Sequence, residues 1–210
     1  MITVENLSKK YKDKTVLQRV DLQMENGKIY GLVGRNGSGK TVLMKCICGF
    51  ARPTTGTVRL DDEIIGKDMD FIKNAGIIIE TPGFINHITG MQNLRNLASI
   101  RGTIDEKQIK ESMDLVGLDY KNRTKVGKYS LGMRQRLGIA QAIMEDPDIL
   151  ILDEPMNGLD NQGVEDIRKL LLDLKEQGKI ILIASHNRED IDVLCDHVWE
   201  MDRGVAKQLR

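Results

Sequence analysis

Gly34-Arg35-Asn36-Gly37-Ser38-Gly39-Lys40-Thr41 has the spacing of a phosphate-binding loop, a glycine-punctuated run closed by Lys-Thr. Glycines at 34, 37 and 39 let the backbone wrap closely around phosphate oxygens without a Cβ in the way. In such a loop Lys40 reaches the outer phosphates and the Thr41 hydroxyl can ligate Mg²⁺. Val42 continues the candidate binding run into a helix. Further along, Asp153-Glu154-Pro155 sets two adjacent carboxylates after an apolar run. Asp153 suits a magnesium ligand, directly or through water, and Glu154 suits the group that orients and polarises an attacking water. Ser185-His186 follows another apolar run, and His186 is the candidate γ-phosphate contact. The plain alternatives are a glycine-rich turn, a surface loop with two acids and a structural histidine. All three weaken when the segments occur together.

A fourth segment, Tyr129–Ile143 (YSLGMRQRLGIAQAI), poses a different problem. Met133, Leu137, Ala140 and Met144 recur at helical spacing, and Asp146-Pro147 ends the run. Ser130 and Gly132 bracket the first turn, whose outward N–H groups favour an anion. No lysine or threonine stands there to complete a phosphate site. It reads as half of one.

Each of these groups needs an element to hold it. Ile29–Val33 reads as a buried strand feeding the loop, followed by a helix with Leu43, Cys46, Ile47 and Phe50 on its inner face. Asp148–Leu152 and Lys179–Ala184 read as buried parallel strands that deliver Asp153-Glu154 and Ser185-His186 to one sheet edge. Met91–Arg101 and Asp105–Val116 read as helices stopped by Gly102 and Gly117.

Bulk properties narrow the class. Lys plus Arg and Asp plus Glu both number 31, and a zero formal charge argues against a general nucleic-acid binder. Aromatics are 4%, too few for a base-stacking platform. The apolar runs are too short to span a bilayer and the amino terminus carries no signal-like stretch, so a cytoplasmic protein is expected, with peripheral membrane association open. Three cysteines do not make a disulfide framework, and Cys46 and Cys48 point to different helix faces, which favours packing over a shared metal. His87 and His197 have no site-like setting.

The order phosphate loop, SLGMR helix start, ILILDEP, NGLD and SH resembles the ATP-binding subunits of ATP-binding cassette (ABC) transporters, over essentially the whole chain. The resemblance implies a P-loop α/β fold with a mostly parallel sheet core (1–81 and 147–210), an N-terminal antiparallel β region and an inserted helical subdomain (about 82–146). It implies ATP and Mg²⁺ as ligands, an integral membrane permease as partner, and a second cassette, in a homodimer, paired head to tail. Ser130 and Gly132 would then donate to a nucleotide held by the partner chain, which supplies the other half of the site. By the same resemblance Tyr11 stacks on adenine and Asp160 crosses the dimer interface.

Two departures stand out. Tyr129–Met133 reads YSLGM where the family usually has LSGGQ, so Leu131 replaces a glycine and needs a backbone angle that tolerates a Cβ. Glu80 stands where a glutamine usually bridges metal, water and helical subdomain; a carboxylate can still ligate Mg²⁺ but adds negative charge beside the triphosphate. IETPGF, YSLGMRQRLGIA and EPMNGLD are similar to the cassettes of bacitracin- and lantibiotic-type peptide-antibiotic exporters. A soluble mechanical ATPase is the rival reading; against it, no long coiled coil interrupts the motifs and each occurs once. A catalytically silent regulatory cassette is a third, opposed by the presence of Glu154 and His186.

Overall fold

Between their ends the central strands are apolar or small, as in Ile149–Leu152 and Ile180–Ala184, which strands covered on both faces require. A computed structural model describes residues 1–210. In it β3 (Lys28–Val33), β6 (Ala75–Ile78), β7 (Ile149–Asp153), β8 (Ile180–Ala184) and β9 (His197–Asp202) run parallel, with β10 (Val205–Gln208) antiparallel at one edge, in the order β10-β9-β3-β8-β7-β6. A separate antiparallel sheet joins β1 (Ile2–Tyr11), β2 (Lys14–Met24), β4 (Thr55–Leu60) and β5 (Glu63–Ile64) in the order β2-β1-β4-β5. The expected mixed architecture is present.

The pleat divides the interior in two. Ile149 and Ile151 of β7 face a core shared with α1 (Lys40–Cys48) and the antiparallel sheet, where Leu17, Leu43, Met44 and Ile47 are fully buried. Leu150 and Leu152 face the other core, shared with α2 (Gly90–Arg101), α3 (Glu106–Leu115), α4 (Leu131–Ile143) and α5 (Asn161–Glu176). A short α6 (Arg188–Leu194) packs beside α5.

Residues 82–146 hold α2, α3 and α4 and no strand. Thr89 and Asp105 close capping boxes at the starts of α2 and α3, and Gly102 ends α2 in the left-handed conformation. Helix α4 is fastened tightly at its carboxyl half. A Cβ at Gly76 of β6 would lie 1.9 Å from the Ala142 carbonyl oxygen, and one at Gly138 would meet Pro82 at 2.8 Å.

One expectation fails. Phe50 is not on the inner face of α1: the helix stops at Gly49, whose left-handed φ of 86° turns the chain, and Phe50 emerges 54% exposed against the edge of Phe71. All three cysteines are buried and free. Burial pushes their thiols up, Cys46 to about 11 and Cys48 and Cys195 to about 12, so they behave as core residues.

Candidate active site

Register brings the chemistry together. Asp153 at the end of β7 and Leu32 near the end of β3 both pair with Ala184, the last residue of β8. Three carboxyl ends therefore finish level, with β8 between the other two, where open parallel sheets bind ligands. A cavity of about 590 Å³ opens there. Asn36–Val42, Glu80, Asp153 and Glu154 line it, together with Lys14, Val16, Leu131, Arg134 and Gln135.

The loop is shaped for an anion. Gly34, Gly37 and Gly39 all have positive φ, and a Cβ at Gly34 would lie 2.3 Å from the Met201 carbonyl oxygen, so no other residue fits. The Lys40 ammonium spans the loop, donating to the Gly34 carbonyl at 2.6 Å. Arg35 and Asn36 form the loop's far side, which a second cavity shares with His186. The Ser38 hydroxyl is buried and has no hydrogen-bond partner, an orphan that a phosphate oxygen would satisfy.

Thr41, first turn of α1, donates its hydroxyl to Asp153 at 2.8 Å. Burial pushes the Asp153 carboxyl above its ordinary range; the negative charges of Glu154 and Glu80 push the same way, and the Thr41 bond and Lys40 pull back. A desolvated carboxylate crowded by other acids and bonded to a hydroxyl is a hard oxygen site, whose chemistry fits Mg²⁺. No group of three or more His, Cys, Asp or Glu gathers anywhere into a metal cage. Magnesium in phosphate sites needs none, because substrate oxygens and water complete its shell.

Glu154 is held from three sides. Its backbone adopts φ 51°, unusual for a non-glycine residue, and its amide donates to the Ala184 carbonyl at 2.8 Å. The buried Gln135 amide donates to the Glu154 carbonyl at 3.2 Å. His186 Nδ1 lies 2.8 Å from its Oε2. The pair is accessible to a water and a phosphate, with His186 71% exposed. The helix after His186 is anchored by a buried ion pair: Arg168 of α5 donates to Asp190 of α6 at 2.7 and 3.1 Å, with the two side chains 7% and 3% exposed.

The start of α4 is built as expected in backbone terms. Ser130 caps it, its hydroxyl accepting from the Met133 amide at 3.1 Å. Leu131 occupies the first helical position, where a Cβ is harmless. The Leu131 side chain lies over Gly158, where any Cβ would come within 2.5 Å of it, and a Cβ at Gly132 would lie 2.7 Å from the Gly158 carbonyl oxygen. Asp160 caps α5 through the Gly163 amide at 3.0 Å.

The structure does not bring every candidate to the cavity. Tyr11 sits half-exposed at the β1–β2 hairpin with the Lys9 ammonium 4.6 Å from its ring centre, outside the cavity lining. Ser130 and Gly132 are also outside it. Glu80 lines it, but its carboxylate is bonded to Lys45 at 2.6 Å. Sequence reading missed Gln135, Arg168, Asp190 and Lys45. Arg168 and Asp190 sat on regular helical patterns, and only the charge beside apolar neighbours marked them.

A family model described as ABC transporter matches residues 17–157. The chain belongs to the ABC transporter family. The cassette is 46% identical, over 97% of its length and 94% of the relative's, to an ABC transporter ATP-binding protein of Bacillus subtilis. It is 45% identical to a bacitracin transport ATP-binding protein of Enterococcus faecalis, over 97% of this chain and 67% of that one. It is 34% identical to a lantibiotic transport ATP-binding protein of Streptococcus pyogenes, over 94% and 85%. Among solved structures, the dimeric structure of MJ0796, a bacterial ABC transporter cassette, superposes with a TM-score of 0.89 at 24% identity, covering 100% of this chain and 99% of that one. The fold is that of an ABC ATPase, and the protein is a transport-coupled ATPase. No helix is long and apolar enough to cross a membrane.

Proposed function

We propose that this cassette hydrolyses Mg–ATP at a site completed by a second copy and drives a separate membrane exporter of peptide antibiotics or similar cargo. The observation that carries the catalytic reading is the convergence of Lys40, Thr41, Asp153 and Glu154 on one cavity, with His186 bonded to Glu154. Residues 34–42 hold the triphosphate, Ser38 and Lys40 supplying hydroxyl and ammonium to it. Tyr11 takes the adenine. Thr41, Asp153 and Glu80 are the magnesium ligands, and the metal when bound neutralises phosphate charge. Glu154 accepts a proton from water as the water oxygen bonds to the γ-phosphorus and the bond to the ADP oxygen breaks. His186 orients Glu154 and contacts the γ-phosphate.

Ser130 and Gly132 serve the partner's nucleotide. Because the Ser130 oxygen already accepts from Met133, its own O–H is left to donate to phosphate. Pairing head to tail gives two equivalent sites, with Asp160 at the crossing. The helical segment 82–146 moves as the subdomain that carries this surface. The cargo assignment is supported by the 45% identity to a bacitracin transport protein. A groove of about 500 Å³ lined by Phe50, Ile77, Ile79, Leu97 and Ile100 supports a permease contact on the cytoplasmic membrane face, as the apolar surface offered to that partner.

Mixing variants tests the shared site. Ser130→Arg blocks one half and Lys40→Ala cripples the other, so neither alone assembles a working site. Mixed dimers assemble one, and ATPase activity returns on mixing. Dimers that form without any recovery, at all ratios, overturn the shared site.

A further inference from the structure

Glu80 and Lys45 are 35 residues apart in sequence, yet their side chains meet at 2.6 Å. The pair stands between two cavities. Glu80 lines the nucleotide cavity beside Thr41 and Asp153, while Lys45 lines the apolar groove beside Phe50, Ile77 and Leu97. Lys45 is also one turn along α1 from Thr41, so both project from one side of the helix. Glu80 itself has a left-handed φ of 63° and a side chain 65% exposed, so it is not locked by packing. Its charge is felt at Asp153, where it helps push the carboxyl up. The other ionic groups on the groove, Arg101 and Glu145, are bonded to each other at 2.5 Å. Lys45 is therefore the cation assigned to Glu80.

A carboxylate beside a triphosphate is unfavourable unless a cation neutralises it, and two cations compete for this one. Lys45 holds it without a metal. A magnesium ion held by Thr41 and Asp153 would offer twice the charge. We propose that Lys45 is a positioning residue that neutralises Glu80 in the metal-free cassette and yields it to the metal of Mg–ATP, so that the Lys45 ammonium becomes free in the groove only when metal-bound nucleotide is present. This rests on the reading of Glu80 as a magnesium ligand. The groove is then charged differently in the two states.

The test compares binding of a non-hydrolysable ATP analogue in EDTA and in Mg²⁺ by titration calorimetry, and takes the ratio of the two affinities. Lys45→Met removes the competitor for Glu80 in Mg²⁺ and strips its neutralisation in EDTA, so the ratio rises by about two- to fivefold, the range expected of one part-exposed ion pair. Lys45→Arg stays near wild type. In a Glu80→Gln background Lys45→Met changes nothing further. A ratio unchanged by Lys45→Met, with Glu80→Gln still lowering it, overturns the exchange and leaves Glu80 as metal ligand. A ratio unchanged by Glu80→Gln removes the metal role, and the exchange with it. Amine acylation read by mass spectrometry gives an independent answer: Lys45 labels faster with Mg²⁺ and analogue than with analogue in EDTA, and equal rates overturn the proposal.

Discussion

Removing Arg168 should cost the cassette far more than removing the charge of its partner. Asp190 is 3% exposed and its carboxylate bonds only to Arg168, through Nε and a terminal nitrogen. Arg168→Met leaves that anion buried without compensation, a loss of about 3–5 kcal/mol. Asp190→Asn is milder. The amide oxygen can still accept, and Arg168 keeps Glu165 at 2.7 Å and Glu189 at 3.2 Å. Its loss should be about 1–2 kcal/mol, one weakened charge-assisted contact. Arg168→Met with Asp190→Leu, which removes both charges, should recover most of the deficit. Urea unfolding followed by circular dichroism measures all three. With a slope of about 2.5 kcal/mol per molar urea, the arginine variant's midpoint falls by roughly 1–2 M. Because α6 starts two residues after His186, loosening it should also lower kcat at temperatures where the fold is intact, with KM for ATP little changed. An arginine variant no less stable than Asp190→Asn would refute the charge argument.

Glu154→Gln keeps the shape of the side chain but removes its basicity, so turnover should fall by about 10²–10⁴ while ATP affinity holds. ATP should then accumulate dimer on gel filtration, and near-normal hydrolysis without dimer would remove Glu154 from the role. Asp196 gives a pH prediction. Burial opposes its charge, but the Ile29 amide at 2.8 Å and the Lys175 ammonium at 2.7 Å outweigh it and hold the carboxyl below its ordinary range. A lowered folded value stabilises the fold above the unfolded value and ceases to do so as pH falls through the folded one. The stability deficit of Asp196→Asn should be full at neutral pH and shrink below about pH 4, and a constant deficit would contradict the assignment.

The loop at Gly34–Thr41 was legible because its whole meaning lies in eight consecutive residues. The strands behind Asp153 and His186 were legible because strands covered on both faces are continuous apolar runs, as in ILIL and IILIA. Phe50 misled because helical spacing does not say where a helix stops; the left-handed turn at Gly49 decided it. Lys45, Gln135 and Arg168 were invisible for another reason. Each acts on a group between 19 and 35 residues away, and nothing in local pattern records that distance. The antiparallel sheet was anticipated only through family resemblance, since its strands alternate less regularly and carry bulges in register.

The glycine contacts that fasten α4 to β6 have a mechanical consequence. With Gly76 against Ala142 and Gly138 against Pro82, the carboxyl half of α4 is the fulcrum, and Ser130 lies at the far end, where Leu131 and Gly132 rest on Gly158. From Gly138 to Ser130 the arm is about 12 Å, so a tilt of about 5° swings the tip by roughly 1 Å, enough to make or break a hydrogen bond. A tilt of about 15° carries it by roughly 3 Å, out of reach of any phosphate. Small angular errors at two glycines are therefore magnified at the far end of the helix. Gly76→Ala should act like a bent hinge pin, disturbing the tip while leaving the phosphate loop untouched.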